Sequence, residues 1–231
     1  MADGDWISFW DSKHTIFVGP RHIAAHFRRI AADLKPYAPA GGTMLDYGCG
    51  EALSAAELSE GVSRLILCEA APNVRTVLAG RYASNPKIVV RKPEDVATMP
   101  GHSVDTVVMH SVSQYLSESD FDALLKSFHR LLKPGGSLVL GDVIPKRVSA
   151  LGDGFALLRF AAQEGFYWAA VRGLLRTYFS SYWKLRKSIG IRRYSEAEIV
   201  AKLEAAGFKA QRARTNIGHN RARMTFIAHT A

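Results

Sequence analysis

The stretch that most constrains this chain is Thr43 to Leu53, TMLDYGCGEAL. Met44 and Leu45 are apolar, Asp46 closes what reads as a short strand, and Gly48 to Ala52 make a turn of mostly small residues. Helix formers follow from Ala55 to Glu60. A strand that bends so sharply into a helix needs glycine, because bare backbone takes the turn and lets a ligand lie against it. The first amides of the helix then face that ligand with a partial positive charge. The spacing is D-x-G-x-G-x-A. The dinucleotide fingerprint G-x-G-x-x-G would need a third small residue at position 53, where Leu53 stands.

The rest of the chain supplies partners for that strand. Arg64-LILC-Glu69 is an apolar run ended by a carboxylate, 19 residues past Gly50. In a parallel sheet the carboxyl ends of the strands line the ligand crevice, so Glu69 is placed to hold two ribose hydroxyls. A helix is predicted through Arg81, a third strand over Lys87-IVVR, and then Pro93-Glu94-Asp95-Val96. Val104-DTVVMH is a fourth strand ending at His110, followed by SVSQYL. Asp120 to Leu132 is an amphipathic helix, and Lys133-Pro-Gly-Gly-Ser leads into the strand Leu138-VLGDV. Tyr194-SEAEIVAKLEAAGF reads as a helix with Ser195 as N-cap, Glu198 in the capping-box position and Gly207 as C-cap. Lys209 to Thr215 and Met224 to His229 are the last two strands, joined by NIGHNRAR. Alternating strands and helices predict a mostly parallel sheet with helices on both faces.

Over Thr43 to Val143 this series resembles the class I S-adenosylmethionine (SAM) methyltransferases. The glycine turn is similar to their motif I, D/E-x-G-x-G-x-G, with Ala52 at the third small position. S-V-D-x-V-V and R-L-L-K-P-G-G-S-L-V-L resemble their fourth and fifth strands. The resemblance implies a Rossmann-like doubly wound α/β sheet with an antiparallel C-terminal hairpin. It implies SAM as cofactor, with Gly48 and Gly50 admitting methionine and ribose, Glu69 holding the ribose, and Asp46 anchoring the amino end through the turn. Asp95 and Val96 would meet the adenine, since Asp95 stands five residues before Pro100 as in the family's D-x-x-x-L-P pattern; Glu94 competes for that role. His110 completes the expected cofactor-binding set.

The acceptor side is less defined, because this family has no universal base. His110 and Tyr115 are the catalytic candidates, at the end of the fourth strand and in the loop after it; His14 and His219 could reach the same mouth. The N-P-P-Y-type loop of base-methylating enzymes is replaced by HSVSQY at 110–115, which argues against a nucleobase acceptor. His22 and His26 lie four apart on a helix opening at Pro20, a metal-capable spacing, but no Glu accompanies them and Arg28-Arg29 follow; a solvated or substrate-facing helix is expected, with no metal.

At 231 residues the chain is expected to form one methyltransferase domain over 1–231, with a helical cap at 1–38 and a helical insertion or lid at 145–193. Asp5 to Ser12 is aromatic, with Trp6, Phe9 and Trp10 near helical spacing, and unlike a secretory signal. No run approaches the roughly 20 apolar residues of a spanning helix. Cys49 and Cys68, in or beside strands, are expected to be buried thiols, which fits a cytoplasmic compartment.

The net charge of +9 is unevenly placed: Gly165 to Arg193 carries seven basic residues and no acid, Gly207 to Ala231 five and none. On a helical wheel Val171, Leu174, Leu175, Tyr178, Tyr182 and Leu185 fall within about 100°, with Arg172, Arg176, Ser180, Lys184 and Lys187 opposite and Phe179 and Trp183 on one flank. This reads as a basic amphipathic cover suited to a small-molecule or lipid acceptor, an anionic one included, and to contact with the inner membrane face. An RNA acceptor, using the basic segments, and a non-catalytic SAM-binding partner subunit are the rival readings.

Overall fold

The structure, a computed structural model, describes residues 2–12, 17–148, 150–178 and 190–230. Helices α1 (Ala2–Trp10) and α2 (Pro20–Leu34) precede β1 (Thr43–Tyr47), α3 (Ala55–Ser59), β2 (Arg64–Cys68), α4 (Pro72–Arg81) and β3 (Ile88–Arg91). There follow α5 (Pro93–Ala97), β4 (Val104–His110), α6 (Glu118–Leu131), β5 (Leu132–Val143), α7 (Ala150–Glu164) and α8 (Tyr167–Tyr178). The chain closes with α9 (Glu196–Ala205), β6 (Lys209–Arg212) and β7 (Met224–His229).

The seven strands form one sheet in the order β3-β2-β1-β4-β5-β7-β6. β1 to β5 pair in parallel, while β7 runs antiparallel to both β5 and β6. From β1 the chain builds outward through β2 and β3, then returns to β1's other edge with β4. That reversal opens a crevice at the carboxyl ends of β1, β2 and β4. The strands are apolar on both faces because both are covered. Leu45, Ile66, Val107 and Met109 pack with Phe121, Leu125 and Phe128 of α6 on one face. Met44, Leu65, Leu67 and Val108 pack with Ala31, Leu34, Leu58 and Leu78 on the other.

Local chemistry sets the element ends. Proline opens α2, α4 and α5, where a missing amide costs nothing. Ser195 and Glu198 form the expected reciprocal capping box. α6 begins two residues earlier than expected, at Glu118, because the Ser117 hydroxyl caps the Asp120 amide at 3.1 Å. β5 starts at Leu132 rather than Leu138, its first residue pairing with Val104 across a register shift. β6 stops at Arg212, short of Thr215. Beyond it Asn216 turns inward, its amide oxygen accepting from the Asp142 amide at 3.2 Å and the Thr225 hydroxyl at 2.8 Å.

α7 and α8 pack on α2 through Ala25, Phe160, Ala161, Phe166 and Ala170. Arg28 pairs with Glu164 at 2.5 Å, and Arg21 donates to the Gly165 carbonyl at 3.3 Å. The cover is thus a helix pair fixed to α2. Residues 179–189 lie outside the described residues, and with them Phe179, Ser180, Tyr182, Trp183, Lys184, Leu185 and Lys187 of the expected wheel. Val171 and Leu174 are half-buried as the wheel requires, but Leu175, expected on the buried stripe, is 65% exposed. It shares the outer face of α8 with Arg172 and with Trp168, which is 72% exposed. Apolar and basic groups are therefore mixed on that face. No described helix is long and apolar enough to cross a membrane.

Candidate active site

The glycine turn sits at the crevice. Gly48 (φ 75) and Gly50 (φ 58) both adopt left-handed backbone. A Cβ at Gly48 would lie 2.4 Å from Val112 Cγ2, so only glycine lets the loop after β4 rest on the turn. Glu69, at the end of β2, accepts the Gly50 amide on one carboxylate oxygen at 2.9 Å and the Ala71 amide on the other at 2.8 Å. Each oxygen keeps a lone pair for a ligand hydroxyl. Burial, then the neighbouring Glu69, pushes the Asp46 carboxyl up to about 7. Among the described residues no donor reaches that carboxylate. Cys49 and Cys68 are buried free thiols, held above the ordinary thiol range chiefly by burial.

At the adenine end, Val96 is buried in the core, and its amide is spent on the Lys92 carbonyl. Asp95 is exposed, its carboxylate accepting the Lys92 amide at 3.3 Å. It borders a depression of about 310 Å³ with Arg75, Thr76 and Arg91. Glu94 is the acid whose field reaches Tyr47 and Cys68 at the strand ends.

On the acceptor side, His110 ends β4 beside Gly141, where a Cβ would come within 2.7 Å of its ring. Its Nε2 lies 3.3 Å from the Ile217 carbonyl oxygen and its Nδ1 3.2 Å from the Ser111 hydroxyl. Both nitrogens are thus engaged. Ser111 (φ 59) and Asp142 (φ 59), at the ends of β4 and β5, are strained non-glycine residues in the left-handed region. They are joined by a 2.7 Å bond from the Ser111 hydroxyl to the Asp142 carboxylate. Arg223 spans Asp142 at 3.3 Å and Asp153 of α7 at 3.1 Å. Burial would raise Asp142, but Arg223, His110, Ser111 and His219 outweigh it and hold the carboxyl below its usual range.

His22 and His26 point inward rather than into solvent. His22 is buried, stacked on Phe166 with centroids 5.0 Å apart. His26 lies among Phe17, Phe27 and His219, at 5.3, 5.3 and 6.2 Å. Burial, reinforced by neighbouring imidazoles, lowers His22 to about 4 and His26 to about 3, so both are neutral near pH 7. Among the described residues no cluster of His, Cys, Asp or Glu is arranged to hold a metal. Tyr115 packs on Trp6 at 4.4 Å and Trp10 at 5.9 Å, and its charge would bear on Arg223. His14 lies outside the described residues. Beyond α1, Asp11 accepts the Asn73 backbone amide at 2.6 Å and its side-chain amide at 2.9 Å, clasping the start of α4.

Residues 45–140 match the family model described as methyltransferase domain. Residues 45–140 thus carry a methyltransferase domain. Part of it is 33% identical over 109 residues to chondramide synthase of Chondromyces crocatus, covering 39% of this chain and 3% of that protein. The fold is similar to a SAM-dependent methyltransferase of Aquifex aeolicus (TM-score 0.58, 17% identity, 94% of this chain and 98% of that one). It is also similar to phosphoethanolamine N-methyltransferase 1 of Haemonchus contortus, solved with phosphoethanolamine and S-adenosylhomocysteine (TM-score 0.52, 18% identity, 64% of this chain and 34% of that one). SAM is the cofactor of this methyltransferase domain, and the site fits it. A ligand carrying an ammonium and a sulfonium would find two carboxylates there, Asp46 and Glu69, the first without a donor among the described residues.

Asp142, Arg223 and Asn216, which gather beside His110, were not singled out in the sequence. Asp142 obeys the strand-end rule that singled out Glu69. Arg223 has no local signal, because only the hairpin brings it to β5.

Proposed function

We propose that the chain transfers a methyl group from SAM to a small-molecule or lipid-like acceptor. The observation that carries this reading is the meeting at the glycine turn of two chemically opposite groups: Asp46 and Glu69, which holds the Gly50 amide, and an imidazole and aromatic cluster from α2, α7 and the β6–β7 loop that reaches Gly50 through Phe27. When bound, SAM supplies a methyl on a sulfonium that leaves by in-line displacement. The protein's part is to hold and to orient. Asp46 pairs the amino end, Glu69 the ribose, and the start of α5, with Asp95 and Val96 beside Glu94, the adenine edge. Phe27, 3.7 Å from where a Gly50 Cβ would lie, closes the turn from above and excludes water. His110 and Tyr115 border the acceptor. We read residues 1–231 as one domain with its cap and lid.

The outer face of the lid favours delivery of the acceptor from an anionic membrane surface. Phe155, Arg159, Trp168, Arg172 and Leu175 are exposed on α7 and α8, the mixture an interfacial helix presents to lipid headgroups. Each cation near such a surface adds about 1 kcal/mol, screened by salt. Calorimetry with SAM and co-sedimentation with phosphatidylserine vesicles test the two parts. We expect micromolar SAM binding, and sedimentation at low salt that Arg159→Glu with Arg172→Glu reduces about tenfold or more, two cations at that energy each. Preferential NADH binding overturns the first part. Vesicle binding unaffected by salt or by the double variant overturns the second.

A further inference from the structure

We infer that His219, in the β6–β7 loop, is the general base of the site, and that the acceptor carries a hydroxyl on a flat apolar body. This rests on the methyltransferase reading above and adds to it a residue role and an acceptor class.

Four imidazoles gather here. His22 is used as a packing element, its Nδ1 accepting the Val18 amide at 3.3 Å. His110 has both nitrogens engaged, at Ile217 and Ser111. Of these four, only His26 and His219 have no hydrogen-bond partner on either ring nitrogen among the described residues, and both are half-buried beside the crevice. Their surroundings then separate them. His26 lies within the field of one anion, Asp142, against His110, His219 and His22, and is ringed by phenyl groups. His219 stands within the field of Asp142 from β5 and Asp153 from α7. Those anions stabilise an imidazolium there; His110 from β4, His26 and His22 from α2 and Arg223 from the loop before β7 oppose it. The net effect, led by burial, is a ring held below its ordinary value and so neutral, ready to accept, near pH 7.

The ring is also fixed in place. It stacks on Phe160 with centroids 4.7 Å apart and 17° between planes, and the preceding residue Gly218 is tied by its amide to Asp33 at 2.9 Å. Phe160, Phe17, Phe27 and His26 form an aromatic surround that suits a flat ring. In the step this assigns, the acceptor O–H breaks and its proton goes to a His219 nitrogen. The freed oxygen pair forms the new C–O bond, and the C–S pair stays on sulfur. The imidazolium then returns its proton to solvent. Asp142 and Arg223 act as positioning residues.

Naphthol and its methyl ether, methoxynaphthalene, are the probes, measured with the full chain loaded with S-adenosylhomocysteine. A hydroxyl donating to His219 should make naphthol bind about tenfold tighter than the ether, the worth of one hydrogen bond. His219→Phe, which keeps the stack on Phe160, should erase that preference, while His219→Gln, whose amide oxygen still accepts but takes up no proton, should keep part of it; both should leave SAM affinity within about twofold. With labelled SAM, methyl transfer to naphthol should fall about 100-fold or more in either variant, and the acid limb of the kcat profile should disappear. Equal wild-type affinity for naphthol and ether, full turnover in the variants, or transfer to naphthylamine instead of naphthol overturns the assignment. Loss of SAM affinity in both variants overturns it too, by making His219 a structural prop. A wild type that binds no SAM counts against the methyltransferase reading itself.

Discussion

The two walls of the crevice are built in opposite ways. The cofactor wall comes from short consecutive pieces: Asp46, Gly48 and Gly50 lie within five residues, and Glu69 closes on Gly50 at a separation of 19. The acceptor wall is assembled across the whole chain. His110 meets Ile217 at a separation of 107, Asp142 meets Arg223 at 81, and Asp33 holds Gly218 at 185. The first wall is a folding motif that also binds. The second is a tertiary constellation, held by charge pairs and ring stacking, and it touches the first at Val112 on Gly48 and Phe27 beside Gly50.

The largest effect should come from breaking the distributed wall. Asp142→Ala leaves Arg223 half-paired in a buried position and removes the anchor of Ser111. It should cost about 3–5 kcal/mol, the range for breaking a buried ion pair. Denaturant midpoints check this; an unchanged midpoint means the acceptor wall needs no such strut. Glu69→Ala strikes the local wall instead. It should weaken SAM binding by about 1–3 kcal/mol by unpairing hydroxyls, with a smaller loss in melting temperature. Unchanged affinity by calorimetry would remove Glu69 from the ribose site. The smallest effect on binding is a pH dependence. Asp46 has a folded value raised to about 7, so it takes up protons that the unfolded chain releases, and stability falls as pH rises from about 4 to 7. A cationic ligand favours the ionised form, so SAM affinity should rise with pH through that value, about tenfold between pH 6 and 8. Asp46→Asn should flatten the profile; if it does not, another group governs it.

The same contrast explains what could be read from residues alone. The turn, the strand-end acid and the capped helices are set by neighbours a few positions away, so sequence spacing carries them. Ser195 and Glu198 cap α9 as expected, and α2 opens at Pro20 as expected. His22 and His26 were open to a solvated reading because nothing near them in sequence announces Phe166, Phe160 and His219, which bury them. Leu175 was assigned inward by periodicity, but Ala170, Val171 and Leu174 occupy the inner side of α8 and leave it outside. A wheel gives the faces of a helix, not which of them finds a partner.

The clasp at the start of the chain ties together two strand ends that are distant in sequence. Trp6 and Trp10 rest on Tyr115 beyond β4, while Asp11 holds Asn73 beyond β2. β1, which leads into the glycine turn, lies between those strands in the sheet. One nine-residue helix and the residue after it therefore brace both neighbours of β1 at once.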